Sequence, residues 1–343
     1  MGIELDITQY YGRDLLTLSE RKRLKLVDQA FHHWRTSGFP FREFNDQEII
    51  DEINRLEHYD EFRLKQTLDK PSTVGLALAN SFHPQIWQAR IRGKSPIEVF
   101  NDDATFRYVL GRAPKMYPNR RCWSACCIRM LVGLQNRSRV SNFRPTVARV
   151  ITQWLSKEGD RILDFCAGYG GRYLGIATLN RYYYGIDVSP EQIAGLWRMQ
   201  ERLKRYVDGD AFFLQAEAEN ALRDIDTGSF DLIFTSPPYF RLEKYEQNPL
   251  QSSTKYFRYD CWKSLFLETV IRESFRIIKD NGYLVINISN YGIFRLEEDF
   301  IEICQKYFSN KIIRLMMYMS TNPSYKKRTN IYKKSEPIFV IRK

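Results

Sequence analysis

Ile162-Leu163-Asp164-Phe165-Cys166-Ala167-Gly168-Tyr169-Gly170-Gly171 is the stretch whose reading decides the fold. A short apolar run ends in an acidic residue and passes into a glycine-rich turn, and the residues after Gly171 open a helix. Glycine permits close backbone approach to a ligand and conformations other residues resist. The helix N-terminus then faces an anionic group such as a carboxylate. Asp187 ends the next apolar run, 23 residues beyond Asp164; a carboxylate there can accept both ribose hydroxyls. The third run ends at Leu214, and Glu217, three residues on, is placed to reach an adenine edge. A plain tight turn with a helix-capping Asp187 would account for one of these features, but not for acids at the ends of successive strands as well. A nicotinamide nucleotide would call for G-x-G-x-x-G. Gly168-x-Gly170-Gly171 preceded by Asp164 better suits a ligand with an amino-acid end.

Outward from this segment, apolar runs alternate with helical stretches. The runs are Arg161–Phe165, Tyr182–Asp187, Ala211–Leu214, Phe230–Thr235, Tyr283–Ile288 and Ile312–Met319. Thr146–Leu155, Pro190–Leu203 and Trp262–Ile278 have helical periodicity. This alternation predicts an α/β fold, a mostly parallel sheet with helices on both faces. No helical pattern separates Ile312–Met319 from Ile338–Arg342, so the sheet is expected to end in an antiparallel hairpin. Residues 1–138 read as a separate, mostly helical region that could recognise nucleic acid, with 139–343 as the α/β domain. Thr17-x-x-Glu20 and Asn45-x-x-Glu48 are capping-box patterns. After the first come Leu24, Val27, Ala30, Phe31 and Trp34 at helical spacing; after the second, Ile49, Ile50, Ile53 and Leu56. Pro71, Pro84, Pro96, Pro114 and Pro118 punctuate the chain beyond Leu56.

Composition narrows the class. The 343 residues carry 52 Lys and Arg against 41 Asp and Glu, a formal charge of +11 distributed along the chain rather than held in one tail, which favours a polyanionic partner. The six cysteines form no CxxC pair and none of the four histidines sits at ligand spacing from them, so no metal site is expected. With no signal peptide and no long apolar run, the reading is cytoplasmic, with reduced thiols and no membrane.

A second motif carries the chemistry. Asp231-Leu232-Ile233-Phe234-Thr235 leads into Ser236-Pro237-Pro238-Tyr239. The chain here resembles the DNA amino-methyltransferases, whose hallmark is (D/N/S)-P-P-(Y/F/W) at a strand end. The resemblance covers roughly Asn142 to Lys343 and includes Phe143-Arg144-Pro145 and the Glu273–Tyr283 segment. It implies a Rossmann-like, seven-stranded methyltransferase fold with S-adenosylmethionine as cofactor. Asp164, Ala167, Gly168, Gly170, Asp187, Glu217 and Thr235 would bind that cofactor. Ser236, Pro237, Pro238 and Tyr239 would be catalytic.

The residue types suit the reaction. The exocyclic amino nitrogen of cytosine or adenine is conjugated with its ring and is a poor nucleophile. Acceptors fixed around its hydrogens favour the tetrahedral nitrogen of the transition state. Ser236 Oγ and the Pro237 carbonyl can be those acceptors; the prolines restrict the loop that holds them. Tyr239 can stack on a base extruded from the helix. Within the family, serine at the first position leans towards N4 of cytosine, and aspartate or asparagine towards N6 of adenine. No Pro-Cys pair exists, as ring-carbon methylation would need, and Cys166 reads as packing.

The chain departs from many serine-type members in placing the cofactor turn before the tetrad. Only 71 positions separate Asp164 from Thr235, too few for a recognition domain between them. Target contacts are therefore assigned to the N-terminal region or to two loops with basic and aromatic residues interleaved. Phe240 and Arg241 stand in the first; Lys326, Lys327 and Arg328 stand in the second. The basic stretch Arg112–Arg144 reads slightly better as a helix packed on the α/β domain through Ile128, Leu131 and Leu134 than as a phosphate contact. DNA is favoured over RNA as substrate, and a partner nuclease or restriction-modification or defence system would fit. The alternatives are an RNA base amino-methyltransferase, a non-catalytic nucleic-acid-binding protein that keeps the cofactor pocket, and a protein-glutamine methyltransferase.

Overall fold

The computed structural model describes residues 6–70, 72–91, 93–135, 140–242, 248–320 and 334–343. Its helices in chain order are α1 (Gly12–Leu16), α2 (Glu20–Ser37), α3 (Asp46–Glu57), α4 (Leu64–Asp69), α5 (Leu76–Ser81), α6 (Pro96–Asn101), α7 (Asp103–Met116) and α8 (Ala125–Leu134). They continue with α9 (Pro145–Leu155), α10 (Gly171–Ala177), α11 (Pro190–Leu203), α12 (Ala218–Ala221), α13 (Ser252–Lys255), α14 (Tyr259–Cys261), α15 (Glu268–Ile277) and α16 (Leu296–Tyr307). The strands are β1 (Arg161–Asp164), β2 (Tyr182–Asp187), β3 (Asp210–Gln215), β4 (Phe230–Thr235), β5 (Ile278–Asn287), β6 (Ile313–Ser320) and β7 (Lys334–Arg342).

These seven strands form one sheet in the order β3-β2-β1-β4-β5-β7-β6. Strands β1 to β5 run parallel, and β7 enters antiparallel between β5 and β6, so the hairpin closes the sheet as the sequence predicts. Side chains alternate across the pleat. Ile162, Leu232 and Val285 face one core with Val147, Ile151 and Leu174 from α9 and α10. Leu163, Ile233 and Leu284 face the other with Val270, Ile271, Phe300 and Ile303 from α15 and α16. β5 starts five residues before the expected Tyr283. Asn281 takes a φ of 68°, and the register shifts between Phe230 and Leu232, so the apparent Lys279–Gly282 turn is absorbed into the strand as an irregularity.

Helices α9 and α10 pack backbone to backbone. A Cβ on Gly171 would lie 2.0 Å from the Phe143 carbonyl oxygen, and one on Gly175 would lie 2.2 Å from that of Pro145. Only glycine at both positions permits this approach. It fixes the start of α10, and hence the turn before it, against the chain that enters α9.

The chain divides differently from the expected boundary at 138. Residues up to Glu43 with Pro84–Ser141 make a helical unit, and Phe44–His83 joins the sheet unit. The reason is burial: Ile49, Ile53, Leu56, Leu68 and Leu78 share a core with Val147, Ile151 and Leu174. The second capping box is real, with Asn45 and Glu48 each accepting the other's backbone N–H at 2.9 and 3.1 Å. The first is not. Thr17 caps the end of α1 by donating to Asp14 O at 2.7 Å, Ser19 precedes α2, and Leu24 is exposed.

In the helical unit, α7 runs through Pro114 instead of ending before it. A proline there cannot donate to the carbonyl four residues back. That carbonyl, Leu110 O, instead accepts the Trp123 indole N–H at 3.0 Å. Trp123 is fully buried and its own carbonyl accepts Trp34 Nε1 at 3.1 Å, so the proline's missing donor joins α2, α7 and the entry to α8. Ile128 and Leu131 of α8 pack into the helical unit's own core with Phe106 and Trp123, which differs from the expected packing on the α/β domain, and Leu134 is exposed.

Candidate active site

The glycine turn is held from behind. Asp164 is fully buried, its carboxylate accepting Arg172 Nε at 2.7 Å, Arg172 Nη2 at 3.2 Å and the Tyr183 hydroxyl at 2.7 Å. It also takes the Cys166 N–H at 3.3 Å. Burial alone would lower Arg172, but the adjacent Asp164 more than offsets this and holds the guanidinium above its ordinary value. Burial and the same carboxylate push Tyr183 well up, so it stays a donor. Asp164 was expected to touch the ligand. With its oxygens saturated in the core, it acts as the anchor of the turn.

The turn itself faces outward. Gly168 (φ 57°) and Gly170 (φ 71°) occupy the left-handed region that favours glycine. A Cβ on Gly168 would meet nothing nearer than 3.8 Å, so the space in front of the turn is open. Ala167 is buried and donates its N–H to Ile186 O at 2.9 Å, tying the turn to β2. Asp187, at the end of β2, accepts the Gly168 N–H at 2.8 Å and the Ser189 N–H at 3.0 Å. Its carboxylate thus bridges the turn and the start of α11, combining the ligand-facing position with the helix-capping role. Behind the turn lies buried His83: a Cβ on Gly195 would fall 2.4 Å from its Nδ1. Burial, the thiol's main perturbation, and the carboxylates of Asp187 and Asp164 push Cys166 well up, which fits a packing role.

Beyond β3, Glu217 belongs to a charged cluster the sequence did not reveal. Lys255 of α13 donates to both Glu217 and Glu219, the latter at 3.0 Å, and the Tyr256 hydroxyl donates to Glu219 at 2.7 Å. Asn220 Nδ2 also donates to Glu217 at 2.8 Å. Asn248 Nδ2 donates to Val188 O at 3.4 Å. The chain after the tetrad is therefore fastened over the ends of β2 and β3.

At the end of β4, Thr235 is fully buried and its Oγ1 has no hydrogen-bond partner among the described residues. Ser236 comes next. Its Oγ donates to Asn287, with the backbone oxygen at 3.1 Å and Oδ1 at 3.3 Å. Asn287 ends β5, is buried, and donates Nδ2 to Pro337 O at 2.9 Å. The serine proton is thereby directed into the sheet, leaving its lone pairs as acceptors. Pro237 is buried, while Pro238 and Tyr239 are half-buried.

Phe240 and Arg241 part ways. Phe240 was expected to contact the target, but it is buried against Tyr259, Trp262 and Phe294 with ring centroids 5.4, 5.9 and 5.0 Å away. Its φ of 50° is unusual for a bulky residue and marks strain directly behind the tetrad. A π-helical turn at Trp262–Leu267 lies beside the same cluster. Arg241 is exposed and stacks 4.0 Å over the exposed Phe257 ring. Lys326, Lys327 and Arg328 lie outside the described residues.

The residues present fit S-adenosylmethionine: an open glycine turn, a carboxylate at the end of β2 and an orphaned hydroxyl at Thr235. Arg172, which holds Asp164 across the glycine turn, and Asn287, whose partners lie 50 and 51 residues away, were missed, while Lys255, a basic residue of the loop expected to contact the target, pairs with Glu217 and Glu219.

Two family models match the chain. One, described as DNA methylase, covers residues 230–343, and the other, RNA cap guanine-N2 methyltransferase, covers 159–278. Among solved structures, the chain is similar to precorrin-6y C5,15-methyltransferase from Geobacter metallireducens GS-15, with 16% identity over 57% of this chain and 86% of that one and a TM-score of 0.37. It is also similar to a putative rRNA-methylase from Clostridium thermocellum (14% identity, 59% and 98% covered, TM-score 0.37). A third is TrmN from Thermus thermophilus (14% identity, 58% and 48% covered, TM-score 0.37). Glycine turn, strand-end carboxylate, the tetrad that follows β4 and the two family matches make this chain a methyltransferase of the S-adenosylmethionine-dependent type with a Rossmann-like sheet, matched over its last third by the DNA methylase family.

Proposed function

We propose that the protein methylates an exocyclic amino group of a DNA base, N4 of cytosine in preference to N6 of adenine. The observation that carries this reading is the Ser236 hydroxyl, whose proton is given to Asn287, so that Oγ presents lone pairs to an amino hydrogen. The DNA methylase match over the segment that contains the tetrad supports it.

The Ala167–Gly170 turn, Asp187, Glu217 and Thr235 would hold the cofactor, with Asp164 and Arg172 fixing the turn. Bound there, S-adenosylmethionine supplies an electrophilic methyl carbon, so the protein needs no nucleophile of its own. Ser236 Oγ and the Pro237 carbonyl hold the amino hydrogens and favour the pyramidal nitrogen. Tyr239 stacks on the extruded base, and Arg241 with Phe257 forms an exposed cation–aromatic step for the adjoining strand. As the nitrogen gains carbon it loses one proton, which passes to solvent. Phe240 stiffens the tetrad from behind.

One observation favours a second reading. The RNA cap guanine-N2 methyltransferase match spans the cofactor turn and the tetrad, and guanine N2 is also an exocyclic amino group. Incubation with methyl-labelled cofactor and unmethylated DNA, with RNA in parallel, separates them. Label in N4-methylcytosine or N6-methyladenine from DNA supports the proposal and names the base; label in RNA alone moves the substrate to RNA. No label from wild type, with cofactor binding intact, defeats both.

A further inference from the structure

One strongly basic stretch of this chain lies outside both the glycine turn and the tetrad. Residues 84–141 hold 11 Lys and Arg against 3 Asp and Glu, and no acidic residue stands between Asp103 and Glu158. Much of that charge is accounted for locally. Arg90 pairs with Glu98, Lys94 with Asp102, and Arg107 with Asp28 while stacking on Phe31. Arg129 donates to Pro40 O.

Among the described residues of this stretch, four cations are left over. Arg112 and Lys115 lie on the exposed face of α7, opposite the buried Phe106, Val109, Leu110 and Ala113. Arg120 and Arg121 lie on the turn after α7, also exposed. None has an ion-pair partner among the described residues. Tyr108, one turn before Arg112, is 55% exposed, and its hydroxyl accepts Arg112 Nη1 at 3.3 Å. The helix dipole would favour one cation in the last turn of α7, which covers Lys115. It does not explain three arginines beside it, and unpaired like charges at this spacing repel one another. Nor is the surface a loose one. The turn is pinned to the N-terminal segment: Gly12 N donates to Arg120 O at 3.0 Å, Arg13 N to Pro118 O at 2.8 Å and Cys122 N to Tyr10 O at 3.1 Å.

Four exposed cations without ion pairs among the described residues, on a helix and a backbone-pinned turn that follow one another in the chain, together with an exposed phenol, match a phosphodiester backbone, where each neutralised phosphate releases counterions. We propose that Arg112, Lys115, Arg120 and Arg121 form a phosphate-contact face by which the helical unit grips duplex DNA, independently of base sequence. This inference rests on the proposed nucleic-acid substrate, and it assigns backbone grip to a surface outside the loops around the tetrad.

The test is salt-dependent binding of a fluorescent DNA duplex to the full chain and to R112A/K115A/R120A/R121A, with a duplex RNA in parallel. The four sites are exposed, so the variant should keep cofactor affinity and melting temperature, which checks its fold. The expected result is at least a tenfold loss of affinity for duplexes of any sequence at moderate salt. The slope of log K against log salt should fall by about 3 to 4, at roughly 0.9 per phosphate contact. Wild-type binding with no change in the variant overturns the face and leaves the methylation reading standing. Binding of RNA alone, lost in the variant, keeps a phosphate-contact face, overturns DNA as its ligand and removes DNA from the proposed reaction. Binding of neither overturns both.

Discussion

The Ser236 hydroxyl donates to the Asn287 backbone oxygen at 3.1 Å and to its Oδ1 at 3.3 Å, while Asn287 Nδ2 donates to Pro337 O at 2.9 Å. The residue after β4, the last residue of β5 and Pro337 within β7 therefore decide which way one proton points. If Oγ is the acceptor for the amino group, Ser236→Ala should lower kcat by roughly 10²–10³, the usual loss for one preorganised polar group in a transition-state cradle. Asn287→Ala leaves the backbone acceptor in place, so it should cost only about tenfold. Both should leave cofactor Kd unchanged, as measured by calorimetry beside single-turnover rates. An Asn287→Ala variant that loses cofactor affinity in step with rate would reduce Asn287 to a structural residue.

Two glycines with opposite surroundings separate folding from binding. At Gly175 an added Cβ meets backbone at 2.2 Å from Pro145 O and 2.9 Å from Arg149 N, and the Ala148 Cβ at 3.0 Å, none of which is the flexible end of a side chain. Gly175→Ala should lose about 1–3 kcal/mol or more in urea unfolding. At Gly168 the neighbourhood is open, but the φ of 57° and the approach of a ligand both disfavour a side chain. Gly168→Ala should unfold within about 1 kcal/mol of wild type yet bind cofactor at least tenfold more weakly. Equal loss of stability in the two variants would mean that the turn is structural only.

The contrast between these glycines shows what the sequence made legible. The strand–turn–helix around Asp164–Gly171, the ends of β2 and β4 and the seven-stranded order of elements follow from local periodicity and turn chemistry. Local signals also misled: Thr17 looked like an N-cap, Pro114 like a helix end and Phe240 like a base contact. Thr17 was overruled by the Asp14 carbonyl at the end of α1, and the other two by partners further along the chain. Phe240 is claimed by Tyr259, Trp262 and Phe294, and the gap left by Pro114 is filled by Trp123. Asn287 and Arg172 were hidden because a hydrogen bond between strands or across a turn leaves no spacing pattern. The division at residue 138 failed for a related reason. α3 reads as an ordinary amphipathic helix, and nothing in its periodicity says which core receives it.

Lys255 offers a third test. Glu219 is buried and shares Lys255 with Glu217, and this cluster fastens the segment after the tetrad beside the end of β3. Burial opposes the ammonium, but its hydrogen bonds to Glu217 and Glu219 outweigh it and raise Lys255 above its ordinary value. Lys255→Met keeps the aliphatic length and leaves two carboxylates facing each other. A loss of about 1–3 kcal/mol is expected, together with faster cofactor dissociation in stopped-flow. Lys255→Arg should restore much of both. Unchanged dissociation with lowered stability would show that the cluster braces the loop without guarding the site.

His83 sets an acid limit. Burial is the dominant cause that brings its imidazole down from 6.5 to about 3, against a hydrogen bond with Gln192 that works the other way. The ring therefore stays neutral in the fold, while the unfolded chain takes up a proton near pH 6.5. Between pH 6.5 and 3 the unfolded state binds the extra proton, so this residue's contribution is complete above 6.5 and drains away as pH falls. The folding constant should lose up to about tenfold per pH unit across that window from this group. Because His83 packs under Gly170 and Gly195, the loss should reach the cofactor turn. The measurement is the urea midpoint against pH for wild type and His83→Gln. The variant should start lower at neutral pH, since the site is tight, and show a shallower fall between pH 6.5 and 4. Parallel curves would mean that other groups set the acid limit and that His83 serves packing alone.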